Sequence, residues 1–298
     1  MEKICIVIVG PTASGKTALA IDVAQHFKTE IISADSRQCF KELNIGVAKP
    51  TGEQLAKVNH YFINSHSISE NLSAADFENY ALNAVDEIFK KNDIAVMCGG
   101  TGLYIKAFAE GLDPITQTDP KIKNEITDGY RKNGLDWLQK EIQFADPLFW
   151  EKGEIKNPHR MLRALEVFKT TGISIIAQQK KIKKQRPFKI IKVGVKIDRD
   201  LLYENINRRV DLMQQAGLEQ EAIELKAFKH LNALQTVGYT ELFDYFDGKT
   251  TRERAFDLIK QNSRHYAKRQ LTWFKKDDEI VWLRLEEMMS YLADKCGE

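Results

Sequence analysis

The 298-residue sequence has few of the features that mark unusual protein classes. It contains only 7 prolines and 17 glycines, which excludes a collagen-like or low-complexity chain. Its 44 Lys and Arg against 42 Asp and Glu leave a net charge of only +2, so the chain as a whole is not a polybasic nucleic-acid binder. It also lacks any apolar run near the ~20 residues that span a bilayer. An ordinary globular chain remains, long enough for one large domain or two smaller ones.

The cysteine pattern and the N-terminal residues indicate the cellular compartment in which the protein works. The 4 cysteines, at positions 5, 39, 98 and 296, lie far apart and form no C-x-x-C pair, so neither a zinc site nor a disulfide framework is indicated. The apolar run at residues 4–9 is too short for the core of a signal peptide. We expect a soluble cytoplasmic protein without a membrane partner.

The charges are distributed unevenly along the chain. Residues 1–113 carry 10 Lys and Arg against 14 Asp and Glu, whereas residues 160–210 carry 14 against 4. A local surplus of this size suits a polyanion partner, because neutralised phosphates release counterions. A solvated helix face is the alternative, and charge alone does not separate the two interpretations.

Apolar patterning predicts the architecture. Buried β-branched runs at residues 4–9, 30–33, 94–98 and 189–195 alternate with helical segments, which is typical of an α/β fold with a doubly wound parallel sheet of the P-loop NTPase type. A possible short strand follows at 280–283. Residues 114–187 lack strand patterns and predict an inserted helical region, while residues 1–113 and 188–298 form the core with a helical C-terminal part.

The first strand runs into the motif G-x-x-x-x-G-K-[ST] of phosphate-binding loops. Because a strand precedes the motif and a helix follows it, backbone N–H groups and the helix dipole converge on one spot. The lysine adds a full positive charge, and the threonine hydroxyl can hold Mg²⁺. A glycine-rich turn without function is the alternative, but such a turn does not need Lys-Thr. We predict a phosphate or pyrophosphate cradle formed by Gly10, Pro11, Thr12, Ala13, Ser14, Gly15, Lys16 and Thr17.

Two further blocks follow predicted strands, at the edge where α/β sheets bind ligands. Asp35 follows the second strand, where its carboxylate can accept a proton from a nucleophile. An Asx-turn or a helix N-cap is the alternative role for this aspartate. The third strand ends in GGTGLY at residues 99–104, where the glycines allow a neighbouring group to approach the backbone closely and Thr101 is a side-chain donor.

Together these blocks resemble the tRNA dimethylallyltransferase family over nearly the whole chain. The GGTGLY and RQLTW blocks are specific to that family, whereas many kinases share the phosphate-binding loop. The matching blocks are residues 10–17, 35–38 with 45–50, 99–104, 160–167, 237–239 and 267–273.

The resemblance implies an enzyme that transfers a dimethylallyl group from dimethylallyl pyrophosphate to N6 of a flipped-out adenosine 37 in tRNA. It implies that the loop holds pyrophosphate together with Mg²⁺, with Thr17 as metal ligand. It also implies catalytic roles for Thr12, Lys16 and Arg209, and for Asp35 as general base. From the sequence alone, Arg208 remains an alternative to Arg209.

The resemblance also implies tRNA contacts, and with them it favours the polyanion interpretation of the basic stretch. Nothing in the sequence requires a partner subunit, so a monomer is expected. The implied tRNA-binding residues are Asp35, Ser36, Arg37, Gln38, Thr101, His159, Arg160, Met161, Leu162 and Arg163.

Other functions and roles remain open at this point. A P-loop small-molecule kinase, a nucleotide-gated RNA-binding module and a prenyltransferase of free adenylate would share the loop, but the kinase and the adenylate enzyme would leave the basic region with little use. Gln38 could read a base edge, since its amide both donates and accepts. Phe40, Tyr104 and Tyr239 are candidate stacking surfaces, although aromatic residues at such positions are more often part of a core.

Overall fold

A computed structural model describes residues 2–113, 118–179 and 182–297 of the chain. They form two compact units, a sheet unit of Met1–Gly111 with Gln185–Glu298 and a helical unit of Leu112–Lys184. The sequence places the limits of the inserted region at residues 114 and 187. Residue 114 lies outside the described residues.

One parallel sheet organises the sheet unit. The strands found among the described residues are β1 (Ile4–Val9), β2 (Ile31–Ala34), β3 (His60–Tyr61), β4 (Ile94–Gly99), β5 (Lys189–Val195) and β6 (Val281–Leu283). Their order is β3-β2-β4-β1-β5-β6, and every pairing is parallel. The α/β fold with a parallel sheet is thereby confirmed.

Helices cover both faces of the sheet. In chain order the described residues form α1 (Lys16–His26), α2 (Gly52–Lys57), α3 (Ala74–Phe89), α4 (Gly102–Glu110), α5 (Pro120–Ala145), α6 (Pro147–Lys152), α7 (Pro158–Thr171), α8 (Ile175–Gln178), α9 (Arg199–Gln215), α10 (Leu218–Leu225), α11 (Tyr239–Phe246), α12 (Arg252–Phe274) and α13 (Leu285–Cys296). None of these described helices is long and apolar enough to cross a membrane.

The alternation of side chains along β1 explains why this strand is apolar throughout. Cys5, Val7 and Val9 face a core that includes Phe77 of α3. Ile4, Ile6 and Ile8 face a second core on the other side of the sheet, built with Leu19 and Val23 of α1 and Leu292 of α13. A strand buried on both faces has no polar alternation, as the sequence indicated.

The register brings three strand ends together. Gly99, the last residue of β4, pairs with Val9 of β1 on one side and with Ala34 of β2 on the other. The segments that follow these strands therefore start side by side at the carboxyl edge of the sheet. This is the edge at which the sequence located the candidate site.

The helical unit has a small core of its own. In α5 the backbone breaks the helix at Gly134, which has φ 74°. The buried members of this core come from α5, α6 and α7, and they are Ile126, Leu138, Ile142, Phe149, Met161, Ala164 and Leu165.

Arg186 anchors the segment with which the chain re-enters the sheet unit. Its Nε donates to the Phe108 carbonyl at 2.7 Å, and its Nη2 donates to the Ala107 carbonyl and to Glu78 Oε1, both at 2.8 Å. The ion pair with Glu78 is buried. The returning segment is therefore anchored to the last turn of α4, the helix after which the chain leaves the unit.

Candidate active site

The phosphate-binding loop connects β1 to α1 in a strained conformation. Ala13 has φ 63° and Gly15 has φ 87°, so both residues lie in the left-handed region. Left-handed residues between right-handed ones turn successive N–H groups toward one point and form an anion-binding nest. Alanine adopts this conformation at a cost, and such strain concentrates at functional sites. The loop has the geometry of a phosphate cradle.

Two partly buried cations adjoin this loop. Lys16 Nζ donates to the Pro11 carbonyl at 3.2 Å, and Arg209 Nη1 donates to Thr12 Oγ1 at 2.7 Å. Burial lowers the pKa of both side chains. Among the described residues neither cation forms an ion pair, so a polyanionic ligand would relieve their desolvation.

The structure separates the two neighbouring arginines of α9. Arg209 reaches the loop, as described above. Arg208 is exposed, and its Nη2 donates to Asn205 Oδ1 on its own helix at 3.3 Å. Of the two, Arg209 is placed to contact a ligand in the loop.

The loop also has hydroxyl groups for a ligand. Ser14 Oγ is buried and has no hydrogen-bond partner in the described part of the chain. Thr17 lines the smaller of the two cavities described below. No cluster of three or more His, Cys, Asp or Glu in the described ranges could hold a metal ion. The Ser14 and Thr17 hydroxyls suit Mg²⁺, which is commonly held by few protein ligands together with phosphate oxygens.

Asp35 forms the turn that was the alternative role, and its general-base role stays a prediction. Its Oδ1 accepts hydrogen bonds from the backbone N–H groups of Arg37 at 2.9 Å and Gln38 at 3.3 Å, which is the Asx-turn. Its Oδ2 has no hydrogen-bond partner within the described ranges, and Asp35 lines both cavities. One carboxylate oxygen thus fixes the side chain, and the other is available to a substrate.

Thr101 links the end of β4 to the Asp35 segment. Its Oγ1 accepts from the Ser36 N–H at 3.0 Å and donates to Ser36 Oγ at 3.4 Å. The Tyr266 phenol of α12 also bonds to Thr101, and burial raises the pKa of this phenol to about 12. The phenol is therefore neutral at physiological pH.

The glycines of residues 99–102 make room for protein groups rather than for a ligand. An ideal Cβ at Gly99 would lie 2.2 Å from the Ala34 carbonyl oxygen, and one at Gly100 would lie 2.1 Å from Gln270 Nε2. At Gly102 it would lie 2.1 Å from Trp273 Cδ1. The close approach expected from the sequence is thus made by β2 and by α12, and it explains why the GGTGLY and RQLTW blocks occur together.

Residues 45–48 form one wall of the site and are held from two sides. The Gln38 amide donates to the carbonyls of Val47 at 3.3 Å and Ala48 at 3.1 Å, so both of its N–H groups are engaged. Glu221 of α10 accepts from the N–H of Gly46 at 2.9 Å and from the Tyr239 hydroxyl at 2.6 Å. Gln38 could donate to a base edge only by exchanging these bonds, whereas its Oε1 can still accept.

Two cavities meet at this group of residues. The larger has a volume of about 520 Å³, and the smaller, beside Lys16 and Thr17, has about 60 Å³. The residues that line both are Thr12, Asp35, Val47, Ala48, Arg209 and Tyr266. The Arg209 guanidinium, the Thr12 hydroxyl and the Asp35 carboxylate therefore line the same half-open cleft.

The remaining predicted tRNA-binding residues belong to the helical unit. His159 and Arg160 are exposed on α7 of the helical unit, and Arg160 pairs with Glu154 at 2.6 Å. Arg163 donates to Thr118 Oγ1 at 3.1 Å and Leu162 is partly buried. Met161 is fully buried in the core of the helical unit, and its part in tRNA binding stays a prediction. The amphipathic pattern of α7 turns this residue inward.

The candidate stacking residues belong to the core of the sheet unit. Phe40, Tyr104 and Tyr239 are all buried, and Tyr104 stacks on Phe77 with ring centroids 4.4 Å apart. The core interpretation is confirmed for all three.

Sequence reasoning missed Tyr266 and Gln270 of α12. Gln270 Oε1 accepts from the Thr12 N–H at 2.8 Å, and its Nε2 donates to the Gly100 carbonyl at 2.9 Å. Their signal was present in the helical spacing, since Tyr266, Gln270 and Trp273 stand at i, i+4 and i+7 and share one face. The spacing does not predict which part of the protein this helix face contacts.

Relatives of known name match the chain over its whole length. A family model described as IPP transferase matches residues 38–277. The tRNA dimethylallyltransferase of Christiangramia forsetii is 49% identical over 294 residues, covering 99% of this chain and 97% of that protein. That of Cytophaga hutchinsonii is 45% identical over 301 residues, covering 100% and 99%.

Solved structures match the fold as well. The full-length tRNA isopentenylpyrophosphate transferase of Bacillus halodurans superposes with a TM-score of 0.72 at 35% identity, covering 100% of this chain and 96% of that one. A eukaryotic dimethylallyltransferase acting on tRNA gives a TM-score of 0.78 at 25% identity, covering 95% and 74%. The shared fold, the length of the match and the identities together make this chain a member of the IPP transferase family.

Proposed function

We propose that the protein transfers the dimethylallyl group of dimethylallyl pyrophosphate to N6 of adenosine 37 in tRNA. The observation that carries the proposal is the shared lining of the two cavities, where the anion-binding pair Thr12 and Arg209 lies beside Asp35. Leaving-group stabilisation and proton removal are the two tasks that this transfer requires. Membership in the IPP transferase family supports the same reaction.

The donor's pyrophosphate would bind in the loop. Backbone N–H groups of residues 13–17, the Lys16 ammonium and the Arg209 guanidinium supply the positive potential. Thr17, with the unpartnered Ser14 hydroxyl nearby, would hold Mg²⁺. When bound, the ion offsets charge on the departing pyrophosphate. Lys16 and Arg209 stabilise the same charge from the protein side.

Asp35 would act on the acceptor. The N6 lone pair forms a bond to C1 of the dimethylallyl group, and the bond from C1 to the pyrophosphate oxygen breaks with its electron pair on the oxygen. The N6 proton passes to Asp35 Oδ2, which has no other hydrogen-bond partner among the described residues. The Asx-turn holds the carboxylate in place throughout.

The acceptor base would have to leave its stack to reach Asp35. A base in an anticodon loop is turned out at a lower cost than one in a duplex. The cavity of about 520 Å³ is large enough to receive an adenine. Exposed basic residues between 160 and 210 would bind the RNA backbone, with sequence-independent and salt-dependent affinity.

A transfer assay tests the proposal. Radiolabelled dimethylallyl pyrophosphate and Mg²⁺ are incubated with an unmodified tRNA transcript that has adenosine at positions 36 and 37. We expect label on adenosine 37. A matched transcript with guanosine at position 37 should remain unlabelled.

Two further acceptors separate the alternatives. Transfer of the label to free AMP but not to tRNA would replace the tRNA assignment with an adenylate prenyltransferase. Phosphate transfer from ATP to small acceptors, without prenyl transfer, would assign a P-loop kinase.

A further inference from the structure

The side-chain amide of Gln270 connects the phosphate-binding loop to the segment that follows β4. It is 6% exposed, its Oε1 accepts from the Thr12 N–H at 2.8 Å, and its Nε2 donates to the Gly100 carbonyl at 2.9 Å. A buried glutamine with both ends engaged is rigid, because any rotation would leave a buried donor or acceptor unpaired. It therefore fixes the start of the phosphate-binding loop relative to the end of β4.

From Gly100 the connection continues to the candidate base. The next residue, Thr101, accepts a hydrogen bond from the Ser36 N–H at 3.0 Å, and Ser36 follows Asp35 directly. On the other side, Thr12 Oγ1 accepts from Arg209 at 2.7 Å. The Gln270 amide thus lies midway between the groups that would bind the donor and the carboxylate that would act on the acceptor.

The glycine opposite this amide is explained by the same contact. A Cβ on Gly100 would lie 2.1 Å from Gln270 Nε2, while the next group beyond the Gln270 side chain, the Gly10 carbonyl oxygen, is 3.6 Å away. The conflict is therefore with the Gln270 side chain alone. Gly100 is required by the position of the amide, and not by a strained backbone or by a ligand.

We infer that Gln270 is a positioning residue: by binding the Thr12 N–H, it holds the start of the phosphate-binding loop, and with it the Thr12 hydroxyl beside Arg209, at a fixed separation from Asp35. The predicted loss of turnover rests on the proposed function, whereas the predicted loss of pyrophosphate affinity does not depend on prenyl transfer. Gln270 lines the smaller cavity, but both of its hydrogen bonds are to the protein backbone. It acts through Thr12 on the donor and through Gly100 and Thr101 on the base.

A double-mutant cycle between Gln270 and Gly100 tests the inference. Gln270→Ala removes both hydrogen bonds, and Gly100→Ala pushes the amide out of place. Each single variant should lower the affinity for inorganic pyrophosphate with Mg²⁺, and the turnover number, about 10-fold to 100-fold, as expected for one lost buried hydrogen bond. The KM for tRNA should stay unchanged. The double variant should be no worse than either single one, because the added methyl group then meets no amide.

Two controls isolate the contact. Gly102→Ala meets Trp273 instead of Gln270, so its effect should add to that of Gln270→Ala. Gln270→Met keeps the side-chain volume without the amide, so it should fold and show the same losses of affinity and turnover. It tests the role even if the alanine variant does not fold.

The outcomes are distinct. Wild-type pyrophosphate affinity and turnover in Gln270→Met would overturn the inference, and so would additive effects of Gly100→Ala and Gln270→Ala. If the wild type transfers no dimethylallyl group to tRNA, the proposed function fails. The pyrophosphate affinities in the cycle would still report whether Gln270 positions the loop.

Discussion

At Asp35 the two oxygens of one carboxylate have different tasks. Oδ1 accepts the two backbone N–H groups of the Asx-turn, while Oδ2 has no partner in the described residues. An asparagine can keep the first task through its carbonyl oxygen, but its amide cannot accept a proton. Substitution by asparagine therefore separates the fold of the segment from its chemistry.

We predict that Asp35→Asn lowers the rate of prenyl transfer about 10²- to 10⁴-fold, the usual cost of losing a general base. The affinities for tRNA and pyrophosphate and the melting temperature should be retained. Single-turnover kinetics with both substrates saturating measures the chemical step. A wild-type rate in this variant would limit Asp35 to the turn.

Lys16 gives the site a pH dependence. Burial lowers its pKa from the ordinary value of 10.5, so the ammonium loses its proton at a lower pH than an exposed lysine does. Pyrophosphate binds the charged form. Its affinity should therefore fall as the pH rises through the lowered pKa, and binding should take up protons.

The comparison with Lys16→Arg isolates this effect. Arginine keeps its charge over the range from about pH 7 to about pH 10. We predict that the ratio of wild-type to Lys16→Arg pyrophosphate affinity, measured by calorimetry, falls over this range. The ionisation of pyrophosphate itself cancels in the ratio. A constant ratio would mean that Lys16 stays fully charged throughout.

At the scale of elements, the segment of residues 45–48 depends on one close contact. A Cβ on Gly46 would lie 2.6 Å from Cζ of Tyr239, whose ring is fully buried and whose hydroxyl is bound to Glu221. The ring has no room to move away. The added methyl group must displace the segment itself, which lines both cavities at Val47 and Ala48.

We predict that Gly46→Ala destabilises the protein by about 1–3 kcal/mol, the usual cost of overpacking a core, and also lowers turnover. Chemical denaturation measures the first effect. Gly52→Ala is the matched control, because a Cβ there meets nothing within 4 Å. Equal stabilities of the two variants would show that the segment yields without cost.

Local patterns predicted the elements that are long and regular. The β-branched runs located β1, β2, β4 and β5, and the glycine-rich block located the end of β4. The two-residue β3 has no periodicity to read, since its place is set by pairing with β2. The contact of Thr12 with Gln270 joins residues 258 positions apart, so no local pattern could reveal it.

The charge distribution is a property of the whole molecule. Residues 160–210 have a surplus of basic residues, including Lys180, Lys181, Lys183 and Lys184. Lys180 and Lys181 lie outside the described residues. Because phosphate contacts release counterions, each one adds to the slope of log affinity against log salt.

We predict that replacing these four lysines with glutamate weakens tRNA binding and flattens its salt dependence. Titrations between about 50 mM and about 200 mM salt measure the slope. Transfer at saturating tRNA should be retained, because the substitutions change none of the described residues that line the cavity with Asp35. An unchanged slope would mean that the lysines face solvent.

The hydrogen bonds of Arg186 bring together the two points of the sheet unit between which the helical unit is inserted. Arg186 binds the carbonyls of Ala107 and Phe108 in α4. The segment that re-enters the sheet unit is thus held against the helix that precedes the inserted residues. The sheet unit therefore closes on itself, and the intervening residues behave topologically as a loop with neighbouring ends. Such a loop can be lengthened, shortened or exchanged at little cost in chain entropy. Replacing residues 112–184 with a short glycine-serine linker should leave a folded protein that binds pyrophosphate.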